Sequence, residues 1–91
     1  MDPQQKHDRL WDRLTAPRID AICVRRGMIY LVEVEVELHW QAVAQTILYH
    51  DLWQLLYPHL QIERPIIACQ VNRPDIAEAA LSLNIDVVVV S

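Results

Sequence analysis

Apolar positions recur with two different periods along this chain. Over residues 3–14, PQQKHDRLWDRL, the stripe His7, Leu10, Trp11 and Leu14 predicts a helix, with Lys6, Arg9, Asp12 and Arg13 outside the stripe. Asp2 suits its cap and Pro3 its first position. Pro17 then disfavours helical geometry at Ala16 and ends it. Residues 18–25, RIDAICVR, predict a strand. Arg26-Gly27 is a turn, and Gly27, the only glycine in the chain, supplies the positive φ that a tight hairpin requires. Residues 28–38, MIYLVEVEVEL, predict the returning strand.

The period then changes to helical from His39 to Tyr57. Trp40, Val43, Ala44, Ile47 and Leu48 form the predicted core stripe, continued by Leu52, Leu55 and Leu56, and Pro58 follows. Pro65 opens PIIACQV, a strand without polar alternation and so expected to be buried on both faces. Asn72 or Pro74 starts a short helix over PDIAEAALSLN, and IDVVVVS closes the chain as a second strand of the two-sided kind. The predicted order is α-β-β-α-β-α-β. Residues 1–91 thus form one α/β domain, a small mixed sheet flanked by helices.

The second strand carries the candidate chemistry. Glu33, Glu35 and Glu37 alternate with Val34, Val36 and Leu38. With Arg26-Gly27 as a two-residue loop, 25 pairs with 28 and 22 with 31, so Asp20 falls opposite Glu33 and Arg18 opposite Glu35. A four-residue loop keeps this register, whereas a three-residue loop breaks it. Directly opposed residues have Cβ atoms about 4.5–5.5 Å apart. Two facing carboxylates repel unless a positive group lies between them, and a hard divalent cation such as Mg²⁺ takes such oxygen ligands. Glu35 points the same way, as a further ligand or as a base. The alternation is expected to put the valines in the core and to aim the carboxylates at one cleft.

The stretch RID, then EVE on the next strand, then QTILY on the following helix resembles the PD-(D/E)XK nuclease superfamily. It is most similar to the small members related to Holliday junction resolvases and RecB-like nucleases. The resemblance covers roughly residues 18–71 and implies a restriction-endonuclease-like fold. It implies a Mg²⁺ or Mn²⁺ site formed by Asp20, Glu33 and the carbonyl of Val34, and hydrolysis of DNA phosphodiester bonds. Gln45 and Tyr49 match the helical Q-X-X-X-Y element and share a helix face. The motif lysine is replaced by Glu35. Arg18, expected opposite it, keeps its proton and so could stabilise phosphate but not act as a base.

Composition changes this picture in three ways. The net charge is −4 with a single lysine, Lys6, which argues against tight, independent nucleic-acid binding by electrostatics. The apolar fraction of 53% is high for so short a chain and points to a homodimer. Cys23 and Cys69 sit in apolar runs and read as buried, reduced thiols. The opening MDPQQKHDRL is too polar for a signal peptide, and no apolar run nears the ~20 residues of a membrane span, so a cytoplasmic location is expected.

Plainer roles stand beside each of these. The glutamates are also what the solvated face of an amphipathic strand looks like. Gln45 and Tyr49 fit the rim of a helix–sheet interface, and Arg18 fits a cross-strand salt bridge. His50-Asp51 reads as a surface pair, and Trp11, Trp40 and Trp53 as packing anchors. Two function classes follow: a Mg²⁺-dependent nuclease, or the same fold kept as a homodimeric binding module with an inert acidic cleft. A third is a regulatory subunit whose missing lysine or DNA contacts come from a protein partner.

Overall fold

The structure, a computed structural model, describes residues 21–90. The predicted first helix over residues 3–14, with Lys6 and Trp11, and the positions of Arg18 and Asp20 lie outside the described residues.

Four strands and two helices follow in the order β-β-α-β-α-β: β1 (Ala21–Arg25), β2 (Met28–Glu37), α1 (Trp40–Leu56), β3 (Ile62–Val71), α2 (Pro74–Ser82) and β4 (Asp86–Val89). The sheet order is β1-β2-β3-β4, with β1 antiparallel to β2 and the other two pairs parallel. This is the expected small mixed α/β sheet. Among the described residues, no helix is long and apolar enough to cross a membrane.

The hairpin has the predicted two-residue loop. Arg25 pairs with Met28, Ile22 with Leu31 and Ala21 with Val32. Arg26 and Gly27 both have positive φ, 53° and 78°, as a type I′ turn demands. No atom crowds the position a Cβ would take at Gly27, so its backbone angle alone calls for glycine.

β3 begins three residues before the predicted start. Pro65 lies inside the strand, opposite Leu31, rather than opening it. It is tolerated because β4 joins only at Ile66, opposite Asp86, so the missing N–H interrupts no β3–β4 ladder there. The pairing shifts by one residue between Ile29 and Tyr30, which leaves Glu63 as the extra residue of a bulge.

Both helix ends are chemically specified. His39 caps α1, its side chain accepting the Ala42 N–H. Pro74 takes the first position of α2, and Asp75 in the first turn complements the helix dipole. α2 closes on Asn84 in the left-handed region, φ 64°, with Ile85 N–H donating to Ala80 C=O at 2.9 Å and Asn84 N–H to Leu81 C=O at 2.9 Å.

The two faces of the sheet are unlike. Leu38, Ala42, Val43, Ile67, Cys69, Ile76, Ala80 and Ile85 make one buried cluster, so α1 and α2 cover the same face of β3. Two crossovers of the same hand, stepping one way along the sheet, require this. Leu31, Glu33 and Glu35 pair with Pro65, Ile67 and Cys69 and therefore share that covered face. This reverses the expectation for β2. The glutamates point under the helices, while Val34 and Val36 point to the other face and are exposed. For the same reason β3 and β4 are not buried on both faces: Val88, which pairs with Ala68 on the open face, is exposed.

Two further expectations are corrected. The buried stripe of α1 is Ala42, Val43, Thr46 and Tyr49, whereas Trp40, Ile47 and Leu48 are exposed and Ala44 is also outside the core. Apolar side chains surround most of this helix, so their spacing does not set which side faces inward. Cys23 is exposed on the edge strand β1, and only Cys69 is buried.

Candidate functional site

The candidate site lies between β2 and α1. Glu33 is 2% exposed and Tyr49 is fully buried. Tyr49 packs with Leu31 and Ile62, and Ile29 and Trp53 complete that cluster. Leu31 stands two residues before Glu33 on the same face, and Ile67, the β3 neighbour of Glu33, belongs to the other core cluster. Glu33 thus sits on the seam between the two halves of the core. A carboxylate taken out of water there requires compensating charge or hydrogen bonds.

Glu35 is more open, with its side chain 25% exposed. Its Oε2 lies 3.3 Å from Nε2 of His39. The other ring nitrogen, Nδ1, accepts the Ala42 N–H at 3.1 Å. That acceptor role leaves the neutral ring with its proton on Nε2, directed at the glutamate. The same tautomer argues against His39 as a cation ligand, since no lone pair remains on Nε2 while Nδ1 caps the helix.

Gln45 is half-buried on α1, one turn before Tyr49. Between them Thr46 is buried, its hydroxyl donating to Ala42 C=O at 2.7 Å, so it serves the helix itself. Val34 pairs with Ala68 and turns its side chain away from Glu33. The structure therefore brings Glu33, Glu35 and Tyr49 to the interface of β2 and α1, with Gln45 on the same helix. Asp20 lies outside the described residues. Among the described residues no group of three His, Cys, Asp or Glu side chains converges as a cation site.

Glu37, the third carboxylate, is used elsewhere. Arg73 at the start of α2 donates to its Oε1 through Nε at 2.6 Å and also through its terminal nitrogen. This pair and His39 line a cleft of about 310 Å³ with Trp40, Asp75 and Ile76. It opens at the carboxyl ends of β2 and β3, where open α/β sheets commonly bind ligands. Sequence reasoning missed His39 and Arg73. The first was signalled by its position just before a helical run, the second by Pro74 at the start of the next helix.

A larger cavity of about 460 Å³ lies at the other end of the strands, against Ile47, Pro65 and Leu83. It contains none of the predicted site residues. Among its polar lining residues, Arg64 donates to Asp86, which lies outside the cavity lining, at 2.5 Å, and His50 Nδ1 lies 3.3 Å from Asp51, the predicted surface pair.

No family model, no curated protein and no solved structure matches the chain.

Proposed function

We propose that the chain is a divalent-cation-dependent nuclease with a restriction-endonuclease-like fold, acting on DNA. The observation that carries this is the hairpin register. Paired residues from Arg25–Met28 to Ala21–Val32 all sum to 53. One further step of the same ladder would pair Asp20 with Glu33, and the proposal requires that step. Glu33, already drawn out of water, would then share a cation with Asp20 and the Val34 carbonyl. The donor set is all oxygen, which fits Mg²⁺ or Mn²⁺. The ion would supply charge stabilisation to the phosphate and lower the pKa of a bound water.

The chain's own groups have separate tasks. Glu35 accepts the proton of the attacking water, in the place where the related motif has lysine. His39, through Nε2–H, holds the Glu35 carboxylate in position. Gln45 and Tyr49 steady the site from α1. A water adds to phosphorus, its proton passes to Glu35, and the sugar oxygen leaves with a proton from solvent.

The burial of Glu33 also favours a second function. A carboxylate sealed beneath a helix is poorly placed to meet a substrate, and Glu35 cannot supply the positive charge of a lysine. An inert nuclease fold, serving as a homodimeric assembly module or as the regulatory subunit of a protein partner, fits those two facts.

Cleavage of supercoiled plasmid and four-way DNA junctions by the purified chain, with Mg²⁺ or Mn²⁺, tests the proposal. Cation-dependent cleavage that is lost in Glu33→Gln and Asp20→Asn, with both variants still folded, supports the nuclease. Cation binding without cleavage supports the assembly module or the partner-dependent subunit.

A further inference from the structure

Trp40 stands at the first position of α1, directly after the His39 cap, and is 58% exposed. Its spacing predicts a packing anchor, but neither core cluster contains it. One exposed apolar ring is common on a protein surface, so its setting decides what it means. Trp40 lines the cleft of about 310 Å³ together with Glu37, His39, Arg73 and Ile76. His39 Nε2 lies 3.3 Å from Glu35. The cleft therefore adjoins the carboxylate proposed to take the proton of the attacking water.

Arg73 donates to Glu37 through Nε and through a terminal nitrogen. That pair offsets the charge Glu37 would present to a phosphate and fixes the guanidinium plane. The remaining N–H donors of Arg73 can meet an anion. Asp75 also lines the cleft, so charge attracts little here. The whole chain is alike, with a net charge of −4. Duplex DNA is held mainly through its phosphates, which this chain is poorly equipped to grip. An unpaired base is held by stacking on an aromatic ring, which depends little on net charge. The cleft is at the small end of ligand sites and admits a nucleotide rather than a duplex.

We propose that Trp40 is a stacking platform for one unpaired DNA base, with Arg73 on an adjacent phosphate. The inference rests on the nuclease reading and gives it a substrate class: DNA with a single-stranded segment beside the cleaved phosphate.

Fluorescence anisotropy tests this on the full chain, with EDTA present to prevent cleavage. The probes are a labelled single strand of ~12 nucleotides, within the usual site size, and the duplex it forms with its complement. The single strand is expected to bind more tightly than the duplex. Trp40→Ala weakens single-strand binding about tenfold and leaves duplex binding unchanged. Trp40→Phe, which keeps a stacking ring, restores most of the affinity. Arg73→Gln weakens binding less and flattens its salt dependence. Thermal melting shows that the variants remain folded. Equal binding of single strand and duplex, no binding of the single strand, or single-strand binding untouched by Trp40→Ala overturns the inference. So does a dimer that Trp40→Ala dissociates in light scattering, since a second copy then covers the indole. Failure of the nuclease reading is distinct. Trp40-dependent binding without cation-dependent cleavage keeps the platform and removes the cleavage. Cleavage that is lost in Glu33→Gln but equal in wild type and Trp40→Ala removes the platform alone.

Discussion

The Nε2 atom of His39 lies 3.3 Å from Oε2 of Glu35, while its Nδ1 accepts the Ala42 N–H at 3.1 Å. One imidazole therefore both starts α1 and holds the middle carboxylate of the row on β2. The two tasks separate by substitution. His39→Ala loses both and is expected to cost about 1 kcal/mol, the usual worth of an N-cap side chain. His39→Asn keeps an acceptor for Ala42 and retains most of that stability. Urea unfolding measures both, and long-range ¹H–¹⁵N NMR should show the Nε2–H tautomer in the wild type.

Arg26 occupies the left-handed region, which costs an ordinary residue roughly 1 kcal/mol. Arg26→Asn or Arg26→Gly is therefore expected to stabilise the hairpin by about 0.5–1 kcal/mol. Gly27→Ala, at φ 78°, should destabilise by a similar amount although open space surrounds it. Thermal denaturation distinguishes the two signs.

The hairpin is legible in the sequence because a lone glycine after a polar residue, between two apolar runs, specifies a turn locally. Which face of β2 turns inward is not local. Alternation tells that Glu33 and Glu35 share a face, but only the packing of α1 and α2 decides that this face is the covered one. α1 shows the same limit, since its apolar residues nearly encircle it and Tyr49 and Thr46, both partly polar, fill the interface. For the site, the common direction of Glu33 and Glu35 could be read from spacing. The burial of Glu33 and the His39 contact depend on where the helix settles.

Tyr49 has no exposed surface, so Tyr49→Ala should cost about 3–5 kcal/mol, the scale for removing a large buried aromatic ring. Tyr49→Phe keeps the packing and should cost only about 1 kcal/mol. A loss of DNA cleavage in Tyr49→Phe larger than its loss of stability would assign the hydroxyl a role in the reaction. Equal cleavage in both proteins would leave it a packing residue.

The two thiols should differ in reactivity. Cys23 is exposed, whereas Cys69 is fully buried and burial pushes its pKa above the usual thiol range. Thiol reagents are expected to modify one cysteine rapidly in the folded protein and the second only on unfolding. Because the folded-state pKa is raised, this contribution to stability is complete below the ordinary thiol pKa. It is lost as pH rises through the folded value. Mass spectrometry of alkylated peptides identifies the order.

Asp20 and Glu33 are proposed to converge on one divalent cation. The most direct measurement is the Tm of the wild type, Asp20→Asn and Glu33→Gln, each with and without saturating Mg²⁺ or Mn²⁺ under conditions of equal ionic strength. A bound cation should raise the wild-type Tm by several degrees and leave both variants unmoved. An identical response in all three proteins, or none in the wild type, would contradict it.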